Sequence, residues 1–187
     1  QRGTAAFTDG SEVGFDVGPK PIRFNPSLSE QPRNEPVRLV KQRKEEMLAV
    51  DLVEAAQRRV EQRVGMTTKR EVMTEGLWVR VDSFSLLQGL TYLVSRLRDE
   101  YGISEVCFRL RAEGRLAHFD LIWSGALIGS QTLPTWEIEP MNACGEMSPL
   151  TLREVIERHG GEIWFEREKS SHRCFFRLLI PTAAPQE

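Results

Sequence analysis

Cysteine and histidine are scarce in this 187-residue sequence, which has three of each. Cys107, Cys144 and Cys174 form no CxxC pair, and an odd, scattered set does not make a disulfide framework. We therefore expect reduced thiols in a cytoplasmic protein. The histidines are equally scattered, so no zinc site with ordinary ligand spacing is predicted.

The sequence also lacks a charge excess and a long apolar run. Its 25 basic and 27 acidic residues give a formal net charge of -2, which argues against a general polyanion binder. No apolar stretch approaches the roughly 20 residues that cross a bilayer, so no membrane segment is expected. P-loop, HExxH and nucleophile-elbow motifs are absent as well, and no catalytic residue is predicted.

Glycine and proline are concentrated at the start of the sequence. Residues 1–36 show no sustained helix or strand period and have too few apolar residues to offset the entropy of ordering them. The predicted organisation is a flexible linker at 1–45, a folded domain at 46–182 and a tail at 183–187. Because the sequence starts at Gln1 and not at Met, we expect a fragment of a longer protein.

Hydrophobic periodicity divides the folded domain into helices and strands. Helices are predicted to begin at Asp51, at Asp82 or Ser83, and at Ser148, which precedes Pro149. Alternating apolar residues predict strands at 77–81, 106–110, 119–123, 161–166 and 173–180. This order predicts an α/β two-layer sandwich, with a mixed, mostly antiparallel sheet and about three helices on one face.

A long connection at 129–147 has no sustained period, and loops of this length are often lids or binding segments. It carries Trp136 and Met141, which could form an exposed anchor for a partner. We instead expect both side chains to pack down on the domain. His159, at the predicted end of the third helix, could act as a lone catalytic base, but we expect it to cap the helix.

Two phrases in the folded domain carry a family pattern. Residues of the second helix fit the phrase D-x3-L-x-Q-x-L-x-N-L without a gap: Asp82, Leu86, Gln88, Leu90 and Leu93. The sequence HGGEIWFE at 159–166 fits a closing H-G-G-x-I phrase, and Phe176 and Pro181 fit the end of the last strand. Over residues 46–181 the sequence thus resembles the ATP-binding catalytic domain of sensor histidine kinases. The resemblance implies the fold of that family.

The same resemblance implies where a nucleotide site should lie. In the family, an asparagine near the end of the first long helix binds Mg²⁺; this position falls at Arg96, and a preceding asparagine falls at Tyr92. Arginine has no acceptor and carries a positive charge, so Arg96 cannot ligate a hard cation. It could instead pair with a phosphate without a metal.

The adenine-binding motif of the family, D-x-G-x-G-I, is altered too. Its aspartate falls at Trp123, which offers only a donor and fills the space of the base. Gly125 and Ile128 are retained, whereas the second glycine of the motif is Leu127. We expect Trp123 to pack into the former pocket against Leu90, Leu127 and Ile128.

The glycine-rich lid motif that faces the phosphates in the family is replaced by residues 146–149, and only Gly145 remains of it. Glu146 would repel a phosphate, and Pro149 removes a backbone donor. Together these changes predict a non-catalytic, pseudo-ATPase module that regulates or binds, and no cofactor. The alternative is an ATP-binding catalytic domain of a sensor histidine kinase, which would use ATP and Mg²⁺.

Longer phrases at 77–93 and 148–168 resemble the kinase-like C-terminal region of some bacterial 3′–5′ exonucleases of the DNA polymerase III epsilon type. Those nucleases use an Asp-x-Glu pair on two metals, and no Asp-x-Glu occurs here. If this domain belongs to such a protein, or to a signalling protein, we expect nucleic acid to be bound only by parts of that protein outside the present sequence. The expected partner of this domain is a neighbouring domain or another protein. A third hypothesis, DNA binding by Arg96, Arg98 and Arg109, is weakened by the near-neutral charge.

Overall fold

A computed structural model describes residues 43–71 and 73–184 of the chain. The predicted linker lies outside the described residues up to position 42, as does the predicted tail from position 185 onward. The elements follow one another as β1 (Glu45–Leu48), α1 (Ala49–Arg63), β2 (Thr67–Arg70), β3 (Trp78–Val81), α2 (Ser83–Tyr101), β4 (Glu105–Glu113), β5 (Leu116–Ser124), α3 (Thr132–Ile138), β6 (Pro140–Ala143), β7 (Glu146–Thr151), α4 (Leu152–Arg158), β8 (Ile163–Arg167) and β9 (Arg173–Ala183). Within these ranges, none of the helices is long and apolar enough to span a bilayer.

The strands form one large sheet and one hairpin. Six strands of the sheet are hydrogen-bonded in the order β1-β3-β9-β5-β4-β2, and a seventh, β8, also pairs with β9. β2 runs parallel to β4, whereas the other strand pairs are antiparallel. β6 and β7 make the separate hairpin. The predicted α/β two-layer sandwich with a mixed, mostly antiparallel sheet is confirmed, and the described residues hold four helices where about three were predicted.

The long helix α2 begins where its sequence predicts and ends at a glycine. The Asp82 carboxylate accepts a hydrogen bond from the Ser85 backbone N–H at 3.3 Å and so caps the first turn. Gly102, with φ of 68°, ends the helix in the left-handed conformation that a residue with a side chain adopts only at a cost. Between these ends the helix buries an apolar stripe made of Leu86, Leu90, Leu93, Val94 and Leu97. This stripe places the candidate nucleotide-site positions of α2 over the sheet.

Two predicted helix starts are wrong. Ser148 and Pro149 belong to β7, and α4 begins only after Thr151, whose side chain and backbone form a capping box with Glu154. The capping box satisfies two orphan donors of the helix, which a proline at the first position does not. At the other site, α1 begins at Ala49 rather than at Asp51, because the Ala49 N–H already has a partner in the Leu77 carbonyl.

The two faces of the sheet are different. Toward the helices, β5 and β9 bury large apolar side chains, among them Phe119, Leu121, Trp123 and Phe176. On the other face, Asp120 is fully buried and accepts hydrogen bonds from Arg109 and Arg177 at 2.8–2.9 Å. Both guanidinium groups also contact the Phe175 ring. Their central carbons lie 5.2 Å (Arg109) and 4.8 Å (Arg177) from the ring centroid. The helix face therefore carries the apolar core, and the opposite face carries a compensated ionic cluster.

The paired glycines after α4 provide a stability prediction. A Cβ at Gly161 would overlap the backbone carbonyl of Leu179, whereas a Cβ at Gly160 would meet no atom within 4 Å but would sit at a φ of +65°. Over-packing costs about 1–3 kcal/mol, and we expect Gly161→Ala to lower the free energy of unfolding by an amount near the top of this range. The reason is that the clash is with backbone, which cannot rotate away as a side chain can. Gly160→Ala is the matched control, with a loss of roughly 1–2 kcal/mol from backbone strain alone. Urea denaturation measures both; an equal or smaller loss for Gly161→Ala would show that β9 moves aside freely.

Candidate functional site

Three positions predicted for the nucleotide site, Tyr92, Arg96 and Trp123, lie around the aromatic residues Trp136 and Phe176. Tyr92 and Arg96 lie one turn apart on α2, and the Arg96 Nη1 donates to the Tyr92 hydroxyl at 3.3 Å. Trp123 ends β5 on the helix side of the sheet, with its ring centroid 4.8 Å from that of Phe176. The Trp136 ring of α3 lies between these groups, 6.1 Å from the Phe176 ring and 5.1 Å from the Arg96 guanidinium carbon.

Helix α3 fills the space between α2 and the sheet. Trp136 is 2% exposed, and its backbone carbonyl accepts a hydrogen bond from the Tyr92 hydroxyl at 2.7 Å. The Trp136 and Tyr101 rings also pack in a T-shaped arrangement, with their centroids 6.2 Å apart. Met141, on β6, is buried as well. The expectation that Trp136 and Met141 pack down on the domain is therefore confirmed.

Arg96 joins α2 to the end of α3 through an ion pair with Glu139, and it also pairs with Glu100 on its own helix. Burial disfavours its charge, but the hydrogen bonds to Glu139 and Glu100 outweigh burial and raise the pKa of Arg96. The guanidinium is therefore charged, and two carboxylates already compensate it. It offers neither an oxygen for a metal nor an uncompensated charge for a phosphate.

Trp123 is a core residue. Its side chain is 2% exposed, it packs on Phe165 at 6.0 Å as well as on Phe176, and its indole Nε1 donates to the Ala126 carbonyl at 2.9 Å. The N–H that would otherwise be a buried, unpaired donor is thus satisfied inside the turn that follows β5. This arrangement presents no acceptor toward the helix side, where an aspartate would present two oxygens.

After Ser124 the chain leaves the sheet in a turn. Gly125 has a φ of +105°, and its N–H donates to the His172 carbonyl at 3.1 Å. Ile128 is buried, as expected, but Leu127 is 55% exposed. The prediction that Leu127 packs beside Trp123 is wrong, because the chain leaves the strand at Gly125 and the Leu127 side chain, two residues further on, faces solvent.

The positions that the resemblance assigns to the glycine-rich lid form the turn of the β6–β7 hairpin and the start of β7. Cys144 and Gly145 both have positive φ, 53° and 82°, and form this turn. The Glu146 carboxylate pairs with Arg63 and, at 3.0 Å, with Arg59, both on α1. The hairpin is therefore tied to α1 through a side chain that would repel a phosphate.

Little space is left between α1, α2 and the hairpin. The cavity there has a volume of about 10 Å³, and its lining includes Thr91, Tyr92, Met141 and Ser148. A volume of this size holds about one water molecule. A wider groove of about 440 Å³ lies near the start of β4 and is lined by Lys69, Cys107, Ile122 and Arg173, but by neither Tyr92 nor Arg96.

The chemistry available around α3 is limited to ion pairing and packing. Glu137 is buried and pairs with Arg153 at 3.0 Å; its burial raises the pKa of the carboxyl, which Arg153 partly opposes. Across residues 43–71 and 73–184, no group of three or more His, Cys, Asp and Glu side chains could hold a metal ion. Glu137 and Glu139 were not identified from the sequence, since they lie in a connection with no periodic pattern, and no local signal marks them.

The three arginines considered for DNA binding are engaged within the protein. Arg98 pairs with Asp99 and also donates to the Val64 carbonyl, both at 2.8 Å. Arg109 is 8% exposed and is held by Asp120, and Arg96 is paired as described above. Phosphate binding would require each of them to give up a carboxylate, so these residues form no basic patch.

Comparisons with known proteins identify the fold. The nucleotide-free catalytic domain of the histidine kinase ThkA matches with a TM-score of 0.57 at 19% sequence identity, over 74% of this chain and 95% of that chain. A structure of ThkA in complex with the response regulator protein TrrA matches at 0.56 and 20%, over 84% of this chain and 48% of that chain. The ATP binding domain of PrrB from Mycobacterium tuberculosis matches at 0.56 and 11%, over 75% and 98%. This chain therefore has the fold of histidine-kinase catalytic domains.

The sequence comparisons add no family. No protein-family model matches the chain. No curated protein matches it either. The fold thus stands on structural likeness at less than 25% identity, and what the domain does has to be argued from its own residues.

Proposed function

We propose that the folded domain is a non-catalytic regulatory or interaction module, a pseudo-ATPase that keeps the histidine-kinase fold without using a nucleotide. The observation that carries this proposal is the position of α3. Its Trp136 fills the space between Arg96 and Phe176, where a ligand between helix and sheet would have to lie. The buried Trp123 and the compensated Arg96 support it, because neither offers the polar atoms that adenine or Mg²⁺ requires.

The wider setting belongs to the same proposal. We infer that the domain, at 46–182, is part of a larger cytoplasmic bacterial protein, either an exonuclease of the DNA polymerase III epsilon type or a signalling protein. The phrases at 77–93 and 148–168 support the first of these. The partner is a neighbouring domain or another protein, and nucleic acid is bound only by other parts of that protein.

Nucleotide titration tests the proposal directly. We expect ATP and ADP, each with Mg²⁺, to produce no binding heat in calorimetry and no rise in melting temperature. A ligand present at a hundred times its Kd would stabilise the domain by about 2.7 kcal/mol, a readily measured shift. Micromolar affinity for ATP would overturn the proposal and favour the alternative, an ATP-binding catalytic domain, which the likeness to the PrrB domain supports.

A variant distinguishes a site that side chains fill from an intact site that α3 only covers. Glu139→Gln removes the carboxylate that ties Arg96 to the end of α3, and leaves Glu100 on the arginine. If α3 were only a closed lid over an intact site, ATP would bind to this variant better than to the parent. We expect no binding to either protein, since Trp123 and Trp136 still occupy the space. Binding to Glu139→Gln alone would show a latched but functional site.

A further inference from the structure

His159 ends α4 and is buried, with 4% of the residue exposed. Its Nδ1 lies 2.8 Å from the Val155 carbonyl, and its Nε2 accepts a hydrogen bond from the Asp82 backbone N–H at 3.0 Å. A carbonyl can only accept and a backbone N–H can only donate, so the geometry assigns the neutral ring with its proton on Nδ1. The expected helix-capping role of His159 is confirmed, and the second bond adds a contact that reaches beyond α4.

The second bond joins two parts of the fold that are distant in sequence. Asp82 is the residue that caps α2, and its carboxylate also accepts from the Arg43 N–H, at 3.4 Å, where the described chain begins. We call the set of Asp82, Ser85, Val155 and His159 the α2–α4 junction. Through it, one imidazole holds the end of α4 against the start of α2.

The surroundings of the His159 ring, burial and charges taken together, disfavour a second proton on it. Burial is the main cause that lowers the pKa of His159, the charges of Lys44 and Arg158 lower it further, and the Asp82 carboxylate and the Val155 carbonyl act in the other direction. A protonated ring would also place an N–H on Nε2 directly against the Asp82 N–H, so that two donors would face each other.

We propose that the α2–α4 junction is an acid-sensitive switch, in which protonation of His159 at Nε2 breaks the bond to Asp82 and releases α4 and the Gly160–Gly161 turn from the start of α2. The proton comes from solvent, and deprotonation restores the bond. The rest of the sheet is held by backbone pairing that involves no histidine side chain, so the opening is local.

The direction of the pH dependence follows from linkage. The pKa of His159 in the folded state lies below its ordinary value of about 6.5, so at intermediate pH the unlatched form binds more protons than the native form. The junction therefore has its full stability above about pH 6.5 and loses it as the pH falls below that value. For one proton the opening constant rises by up to about tenfold per pH unit.

Amide hydrogen exchange tests the switch. Protection factors, corrected for intrinsic rates, are compared at about pH 7.5 and about pH 5.5, on either side of the ordinary histidine pKa. We expect protection across residues 152–161 and the first turn of α2 to fall by up to about tenfold at the lower pH, while β5 and β9 keep theirs. His159→Gln should remove this difference. The control His118→Gln, which alters another partly buried histidine, should retain it.

Two results would overturn the proposal. Equal loss of protection in β5, β9 and α4 would mean that acid destabilises the whole domain and that no local switch exists. An unchanged pH response in His159→Gln would assign the effect to another group. If that variant does not fold, NMR of the parent decides: the ring should be the Nδ1–H tautomer and titrate below about 6.5, and titration at or above this value contradicts the switch.

Discussion

Trp123→Asp is expected to melt far below the parent and to gain no affinity for nucleotides, although it places the carboxylate of the histidine-kinase motif at its own position. Trp123 is 2% exposed and packs against the Phe176 and Phe165 rings, so its removal leaves a cavity that costs about 3–5 kcal/mol. The new carboxyl would lie among apolar groups, where its ionisation is penalised and a neutral carboxyl still loses its contacts with water, which adds to the cost. Against a typical total stability of about 5–15 kcal/mol, this loss is a large fraction.

Thermal and urea denaturation measure this effect, with Trp123→Phe as the matched control. Phenylalanine keeps an aromatic ring against Phe176 and loses the hydrogen bond to the Ala126 carbonyl, so it should cost far less than aspartate. If Trp123→Asp melts like the parent, the indole is not the core residue described above. If Trp123→Asp binds ATP, the nucleotide site is dormant and the pseudo-ATPase proposal fails.

Asp120→Ala is expected to be comparably destabilising, from the opposite face of the sheet. The carboxylate is fully buried and bonds Arg109 and, through both oxygens, Arg177. Truncating it leaves two largely buried guanidinium groups without their shared counter-charge; breaking a buried ion pair in this way costs about 3–5 kcal/mol. Arg109 would keep Glu71 and Glu168, both at 3.2 Å, so the greater loss falls on Arg177.

Asp99→Ala is the control for this prediction, because it removes another aspartate that pairs with an arginine at 2.8 Å. The pair of Asp99 and Arg98 is more exposed, and such pairs contribute about 0–1 kcal/mol. Urea denaturation of both variants should separate them clearly. Similar, small losses would show that water compensates Arg177 as well as Asp120 does, and that the cluster contributes little to stability.

The sequence predicts the scaffold well because its signals are local and repeated. The apolar stripe of α2 recurs at helical spacing over about three turns, and Asp82 and Gly102 mark the ends of the helix with their own backbone preferences. Helix α3 could not be predicted in this way. It has seven residues, no side-chain cap, and is held by contacts from α2, such as the Tyr92 hydroxyl on the Trp136 carbonyl, 44 positions away in sequence.

For the candidate site, the sequence leads to predictions about which groups are lacking, but not about the contacts that form there. Arg96 and Trp123 depart from the family phrase, and from these single positions the sequence predicts that a metal ligand and an adenine acceptor are missing. The residues that Arg96 and Trp123 contact cannot be inferred in this way. Glu139 approaches Arg96 only because α3 folds back over α2, and Leu127 faces solvent only because the chain turns at Gly125. Both facts depend on backbone direction, which residue types at these positions do not determine.

The strand order has a consequence for how the domain acquires its structure. β9, the last strand described, lies in the middle of the sheet, with β5 on one side and β8 and β3 on the other. Before β9 is made, no backbone strand pairing joins β1 and β3 to β5, β4 and β2. A nascent chain on the ribosome therefore exposes two unjoined sheet edges until β9 emerges, and long-range pairing of this kind is slow and prone to aggregation. Truncation within β9 would divide the sheet rather than shorten it.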